Sequence, residues 1–408
     1  MQKQDILELK KRYKKDECTF TKVCGCYVNS EKHKILQFRE SFLNLEEDDA
    51  FKYMDIVRKV FSGTVDNHLL ELQFPLDENL ENPKQTFFYQ LKKSQLRDDE
   101  LLDSLYQSII DEFPQEGNYL ILLFHDAYDV ITKTSDRSKL DESEEVYEYI
   151  LCAICPVSLS KPGLRYFEEE QKIKARIRDW VVEKPTIGFV FPAFINRSAD
   201  VNAIMYYTKN PKNPHLSMME EVLGCTPKQT AAIQKESFQM IVKDSMGPNE
   251  EIGENALLEI HSALEHMVEE HETLFDGGKE EPLRLSSKEI KQLLIDSDLP
   301  EDVIPKIETS YQQCFEEDFP IAQNLIDSKI AKATEQREKE LKLQKQVITL
   351  QEKLENTIPQ SNEEDVVLHV NPEKASAITS QEINGQRCLV IPLDENEHAI
   401  INGQEHSF

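Results

Sequence analysis

Glycine is scarce in this 408-residue chain, with twelve in all, and neither GxxxxGK[ST] nor GxGxxG occurs. Both of those phosphate cradles need glycines so that backbone N–H groups can approach a phosphate, so nucleotide binding of these two kinds is excluded. GxSxG and HExxH are missing as well, which removes the nucleophile elbow of the α/β-hydrolases and the helical zinc-protease site. The most apolar runs, residues 119–124 and 150–157, fall far short of the ~20 residues that a membrane-spanning helix requires. The first seventeen residues are charged and helix-periodic, without the apolar centre of a secretory leader, so a cytoplasmic location is expected. Eight cysteines spread through apolar or helical runs read as reduced core thiols, not as a disulfide framework.

What the chain has in excess is negative charge, 76 Asp and Glu against 47 Lys and Arg for a net charge of −29. The excess is uneven. Residues 1–45 hold ten bases against six acids, whereas residues 250–320 hold twenty acids against five bases. Such a body repels phosphate backbones except at a local basic patch, and it suits basic protein partners.

Hydrophobic periodicity predicts an α+β fold, a mainly antiparallel sheet backed by helices, followed by an acidic helical region, a long charged helix and a small β tail. The corresponding boundaries are 1–215, 216–320, 321–358 and 359–408. Within the first part, helices are expected over Lys3–Lys15, Glu46–Phe61 and most of Pro83–Phe113. A hairpin is expected from Thr19–Val28 and His33–Phe38, and strands over His68–Phe74, Asn118–Val130, Val146–Leu159, Thr186–Phe194 and Val201–Thr208. Apolar residues at near-helical spacing place a further helix over Phe167–Val182, carrying the single tryptophan, Trp180. Beyond residue 216, Thr226-Pro227 is the expected cap of a helix to Met246, and Gly247-Pro248 its break. Pro320–Glu355 reads as one helix whose Leu343, Val347, Leu350 and Leu354 span barely two heptads and are expected to pack on their own domain. In the tail, strands are expected at Val366–Val370, Arg387–Leu393 and Ala399–Ile401, with turns at Asn384-Gly385 and Asn402-Gly403.

Several residue sets carry potential chemistry. His125-Asp126, at the end of a strand, is the best acid/base candidate, although a metal-dependent phosphohydrolase would need a further His and Asp that do not appear. Cys24 and Cys26 share a strand face. If Val28 pairs with His33, then His33 lies diagonal to Cys26, and these three, with Cys18, could form a tetrahedral zinc site; packed thiols around a glycine bulge at Gly25 are the competing reading. Cys152 and Cys155 match CxxC, but on a strand they face opposite ways and read as structural. His261, His266 and His271 are five residues apart and fan around a helix. The run Lys10, Lys11, Arg12, Tyr13, Lys14, Lys15 could contact nucleic acid, or be held against the chain's own acids. Arg197-Ser198-Ala199-Asp200 reads as a solvated turn. No cofactor is expected.

Residues Cys24-Gly-Cys-Tyr-Val, Gly117-Asn-Tyr-Leu-Ile-Leu-Leu with His125-Asp-Ala-Tyr-Asp, and Val146-Tyr-Glu-Tyr-Ile-Leu-Cys resemble a bacterial family catalogued as domain of unknown function 4317. So do Leu159-Ser-Lys-Pro-Gly, Arg178-Asp-Trp-Val-Val, Gly188-Phe-Val-Phe-Pro-Ala-Phe and Tyr206-Tyr-Thr-Lys, in order across the first 225 residues. The resemblance implies no activity, cofactor or catalytic residue. A fainter likeness, in Leu223-Gly-Cys-Thr opening a helix and in the β tail, is to the nucleoid-associated protein family.

Three readings follow. The first is a non-enzymatic interaction protein that engages protein partners or a second copy of itself. The second is a nucleoid-associated binder using the basic N-terminal segment, disfavoured by net charge. The third is a metal- or thiol-dependent enzyme or sensor around Cys24, Cys26 and His125.

Overall fold

The computed structural model describes residues 2–14, 17–75, 82–133, 139–274, 282–297, 299–316, 318–357, 375–393, 399–401 and 404–406. The expected strand at Val366–Val370, the turn at Asn402-Gly403 and the side chain of Lys15 lie outside them. The chain forms two compact units, Met1–Gln336 and Arg337–Phe408.

The first unit opens with α1 (Lys3–Arg12), β1 (Lys22–Val28), β2 (Lys34–Ser41), α2 (Glu47–Val60) and β3 (Leu69–Gln73). Helices α3 (Pro83–Lys93) and α4 (Asp99–Glu112) follow, each started by a side chain at its cap: Asn82 accepts from Lys84 and Gln85 N–H, and Asp98 from Glu100 and Leu101 N–H. Two long strands come next, β4 (Asn118–Lys133) and β5 (Lys139–Leu159), then β6 (Leu164–Phe167), β7 (Lys172–Ala175) and β8 (Trp180–Val182). The sheet is completed by β9 (Ile187–Phe191) and β12 (Ala203–Thr208), between which β10 (Ala193–Ile195) and β11 (Ser198–Asp200) form a separate hairpin.

The strand order is β2-β1-β4-β5-β9-β12-β3, with β8 on the same side of β5 as β9, and the pairings are antiparallel, so the fold is α+β. Both faces are covered. Tyr119, Ile121 and Leu123 of β4 pack with Phe88 and Leu91 of α3 and Leu105 and Ile109 of α4, while Leu120, Leu122 and Phe124 pack with Ile6 and Leu9 of α1 and Val57 and Val60 of α2. That burial on both sides explains why β4 reads as a continuous apolar run instead of an alternating one.

Three expectations are corrected here. Residues 167–182 are not a helix but parts of β6, β7 and β8, and Trp180 sits on a strand. The hairpin pairs Val28 with Lys34, not His33, and places Cys26 opposite Gln37. Its bulge falls at Tyr27/Val28; at Gly25 the register runs on, and the missing Cβ leaves room for the Phe38 ring, which would lie 2.2 Å from it.

After a short π-helical segment, Met218–Val222, come α5 (Ala231–Met246), α6 (Glu250–Leu274), α7 (Ser287–Ile295), α8 (Ile304–Phe315) and α9 (Ala322–Leu325), with a common core that includes Phe238, Leu264, Leu294 and Tyr311. Thr230, not Thr226, caps α5 by accepting from Ile233 N–H. The expected single helix from Pro320 is divided: α10 (Ser328–Thr357) starts afresh at Asp327, whose carboxylate accepts from Lys329 N–H and pairs with Lys235 at 3.2 Å. Along α10, Leu343, Val347 and Leu350 are exposed instead of covered. The second unit adds two hairpins, β13 (Thr379–Ile383) with β14 (Gln386–Val390) across the Asn384-Gly385 turn, and β15 (Ala399–Ile401) with β16 (Gln404–His406). Among the described residues no helix is long and apolar enough to cross a membrane.

Candidate functional site

Neighbours on a strand face opposite ways, and this decides the fate of His125-Asp126. His125 lies on the α3/α4 side. The β1–β4 register sets Lys22 opposite His125, so Thr21 lies beside it: Thr21 Oγ1 is 2.8 Å from His125 Nδ1. Across β4–β5, His125 pairs with Ile150, and the diagonal residue Glu148 places its Oε1 3.0 Å from Nε2. Lys92 of α3 reaches the other carboxylate oxygen at 3.7 Å. With Nε2–H donating to Glu148, Nδ1 accepts the Thr21 hydroxyl proton. The order hydroxyl, imidazole, carboxylate is that of nucleophilic triads, but catalysis also needs oxyanion donors and a space for substrate. His125 is buried, and two cavities among the described residues lie elsewhere: one of about 600 Å3 lined by Met267, His271 and Glu289, and one of about 650 Å3 beside Glu71, Lys228 and Arg284.

Asp126 lies on the α1/α2 side and is the hub of a buried network. Its carboxylate accepts from Thr19 Oγ1 at 2.6 Å, Tyr149 OH at 2.7 Å, Ala127 N–H at 2.9 Å and Arg12 Nη1 at 3.3 Å. Tyr149 gives its one proton to Asp126, so Tyr13, 2.7 Å away, donates to Tyr149. Burial, reinforced by the nearby Asp126 charge, holds the Tyr13 phenol protonated far above its ordinary range. The Arg12 guanidinium also contacts Thr19 and stacks 3.8 Å from the centroid of the Tyr128 ring. Tyr128 in turn donates to Glu8 at 2.9 Å, and burial, with this hydrogen bond second, pushes its phenol up to about 12.

The same helix secures the β10–β11 turn. Asn196 and Arg197 both have positive φ, 51° and 63°, as a two-residue hairpin turn of this kind requires. Asp5 accepts from both of their N–H groups at 3.3 Å, and Glu8 pairs with the Arg197 guanidinium at 3.1 Å. The turn expected to be solvated is therefore a socket for α1. Of the basic run, Arg12 is buried on Asp126, Lys11 and Lys14 are exposed, and Lys10 is half-buried.

Cys24 and Cys26 are buried together with Cys152 on the α4 side, whereas Cys155 faces the other layer. Burial pushes the Cys26 thiol up to about 11 and Cys155 to about 12. His33 is at the exposed hairpin tip, 3.4 Å from Glu31, and does not join the thiols. Among the described residues no group of three or more His, Cys, Asp or Glu side chains is arranged to hold a metal ion. All eight cysteines are free.

The surface feature that sequence periodicity missed is the connection between β5 and β9. Residues 161–184 are all exposed except Phe167, which is half-buried. The register sets Leu164 opposite Ala175 and Tyr166 opposite Ile173 on one face of the ribbon, and Arg165 opposite Lys174 and Phe167 opposite Lys172 on the other. The first face is apolar and open, with Leu164 77% exposed, Tyr166 54% and Ile173 69%. The second is basic, with Arg165 and Lys174 over the Phe167 ring at 5.5 and 6.0 Å. Backbone bonds fasten the base of the arm: Arg176 N–H to Gly163 and Ser160 N–H to Asp179, both 2.8 Å. The alternation in Leu-Arg-Tyr-Phe and Lys-Ile-Lys-Ala was the available signal; the near-helical spacing of Ile173, Ile177 and Trp180 masked it.

These features define a two-face-covered antiparallel α+β protein with a locked N-terminal helix and a projecting β arm. The chain belongs to the family described as domain of unknown function (DUF4317), whose sequence model matches residues 1–404. No curated protein matches it.

Proposed function

We propose that this is a non-enzymatic interaction protein that engages other protein chains through the arm of residues 161–182. The observation that carries the reading is the open apolar face of the β6–β7 ribbon. A two-stranded ribbon is marginal in water unless a further layer covers it, and each large apolar side chain removed from water contributes about 1.5–3 kcal/mol. Leu164, Tyr166, Ile173 and, below them, Ile177 concentrate such side chains on one projecting element. The acid/base candidates favour the same reading by contrast. His125 and Asp126 face opposite layers, and Asp126 is saturated with hydrogen bonds.

A photo-crosslinking amino acid placed at Ile173 in the full chain, in cells, tests the proposal. Protein adducts at Ile173, and none at Leu43, which is still more exposed, are expected. An Ile173 adduct pattern no different from that at Leu43 would refute it.

A further inference from the structure

The arm carries both halves of a charge match. Its turn is acidic, Glu168, Glu169 and Glu170, and its base is basic, with Lys161, Arg176 and Arg178. Glu170 is used within the ribbon by Lys174 and Arg178 by the Ser160 carbonyl, but Glu168, Glu169, Lys161 and Arg176 have no side-chain partner among the described residues. Between the two charged ends lies the apolar face of Leu164, Tyr166 and Ile173.

The geometry points to a second copy of this chain as the occupant of that face, with the two arms stacked antiparallel. Turning one ribbon end for end over another lays Tyr166 and Ile173 of each on those of its mate. The same rotation carries each acidic turn to the other's basic base, so one operation satisfies both the apolar and the charged contacts. This is the self-complementarity of a two-fold interface, in which one patch serves both sides. Parallel stacking would instead set turn against turn and base against base, like charge on like, and is disfavoured. The basic second faces point away from each other, toward water.

This inference rests on the docking role proposed for the arm, and narrows its partner to one. The test is sedimentation velocity on the full chain over a range of concentrations, with two charge-reversed variants that alter only exposed side chains: E168K/E169K at the turn and K161E/R176E at the base. The wild type is expected to form a dimer. Each variant alone is expected to be monomeric, and an equal mixture of the two to form heterodimers, because each reversed end then meets its opposite. Tyr166→Lys is expected to abolish association in all backgrounds, with circular dichroism unchanged.

A monomeric wild type, or variants that dimerise alone as well as the wild type does, would overturn the second-copy assignment. If a monomeric wild type still gives Ile173 adducts with a different protein in cells, this inference falls and the docking reading stands. If it gives none, both fall.

Discussion

The guanidinium of Arg12 and the carboxylate of Asp126 form a buried ion pair, Nη1 to Oδ2 3.3 Å, that joins the N-terminal helix to the central strand β4. One of these residues was a candidate for nucleic-acid contact and the other for acid/base catalysis. In the fold each is the other's partner, and the pair is closed by Thr19, Tyr149 and the Tyr128 ring.

Removing one member leaves an uncompensated buried charge. Asp126→Leu and Arg12→Met are each expected to destabilise the first unit by about 3–5 kcal/mol, and the double variant by less than either. Urea unfolding of the four proteins, analysed as a double-mutant cycle, checks this; additive losses would mean that the pair is not coupled.

Two buried glycines should differ in their tolerance of alanine. A Cβ at Gly188 would meet the Cys152 carbonyl oxygen at 2.8 Å and Val60 at 2.8 Å, and neither backbone nor core can yield easily. At Gly25 the obstacle is the outer edge of the Phe38 ring, which can swing toward solvent. Gly188→Ala is expected to cost about 1–3 kcal/mol and Gly25→Ala less, as read from thermal or urea midpoints.

His261 gives the helical region a pH dependence. Its Nε2 accepts from Asp327 N–H at 2.6 Å, which requires the neutral ring, and burial lowers its pKa from 6.5 against the opposing pull of Asp327. Asp327, just before α10, and Lys235 of α5 face it, and Glu265 from its own helix at 3.8 Å. Below pH 6.5 the unfolded chain binds more protons at this site than the folded one, so its contribution is intact above that pH and is lost as pH falls toward the lowered folded value. The stability difference between wild type and His261→Gln, followed by urea unfolding from pH 7.5 to 5, is expected to shift against the wild type on acidification.

The thiols should be inert. With Cys26 near 11, and Cys155 and Cys225 near 12, no more than roughly one thiol in ten thousand is ionised at pH 7. Iodoacetamide followed by mass spectrometry is expected to label Cys388 and Cys314, which are partly accessible, well before the buried five: Cys24, Cys26, Cys152, Cys155 and Cys225. Early labelling of Cys24 or Cys26 would instead revive a redox role.

Much of the fold was legible because it is written locally. The apolar runs of β4, β5, β9 and β12, the amphipathic stripe of α2 and the Asn-Gly turn at 384–385 carry their own periodicity or turn chemistry. The zinc geometry suggested for Cys24, Cys26 and His33 failed on register: one residue of bulge at Tyr27/Val28 moved the partner of Val28 from His33 to Lys34. The stretch 167–182 was misread because periodicity reports which side chains seek cover, and this segment has none within its own unit; the i, i+4, i+7 spacing of Ile173, Ile177 and Trp180 then imitates a helix face.

By itself the sequence determined the α+β class, the acidic body with its basic N-terminal segment, the two opposed thiols of β5 and the chemistries that scarce glycine rules out. These follow from composition and from local backbone geometry. Only the tertiary structure decided that Arg12 meets Asp126 across 114 residues of chain, that His125 turns away from Asp126 toward Thr21 and Glu148, and that residues 161–184 stand in solvent. Each of those outcomes depends on which strand lies beside which and in what register, and that is settled by packing both faces of one sheet at once.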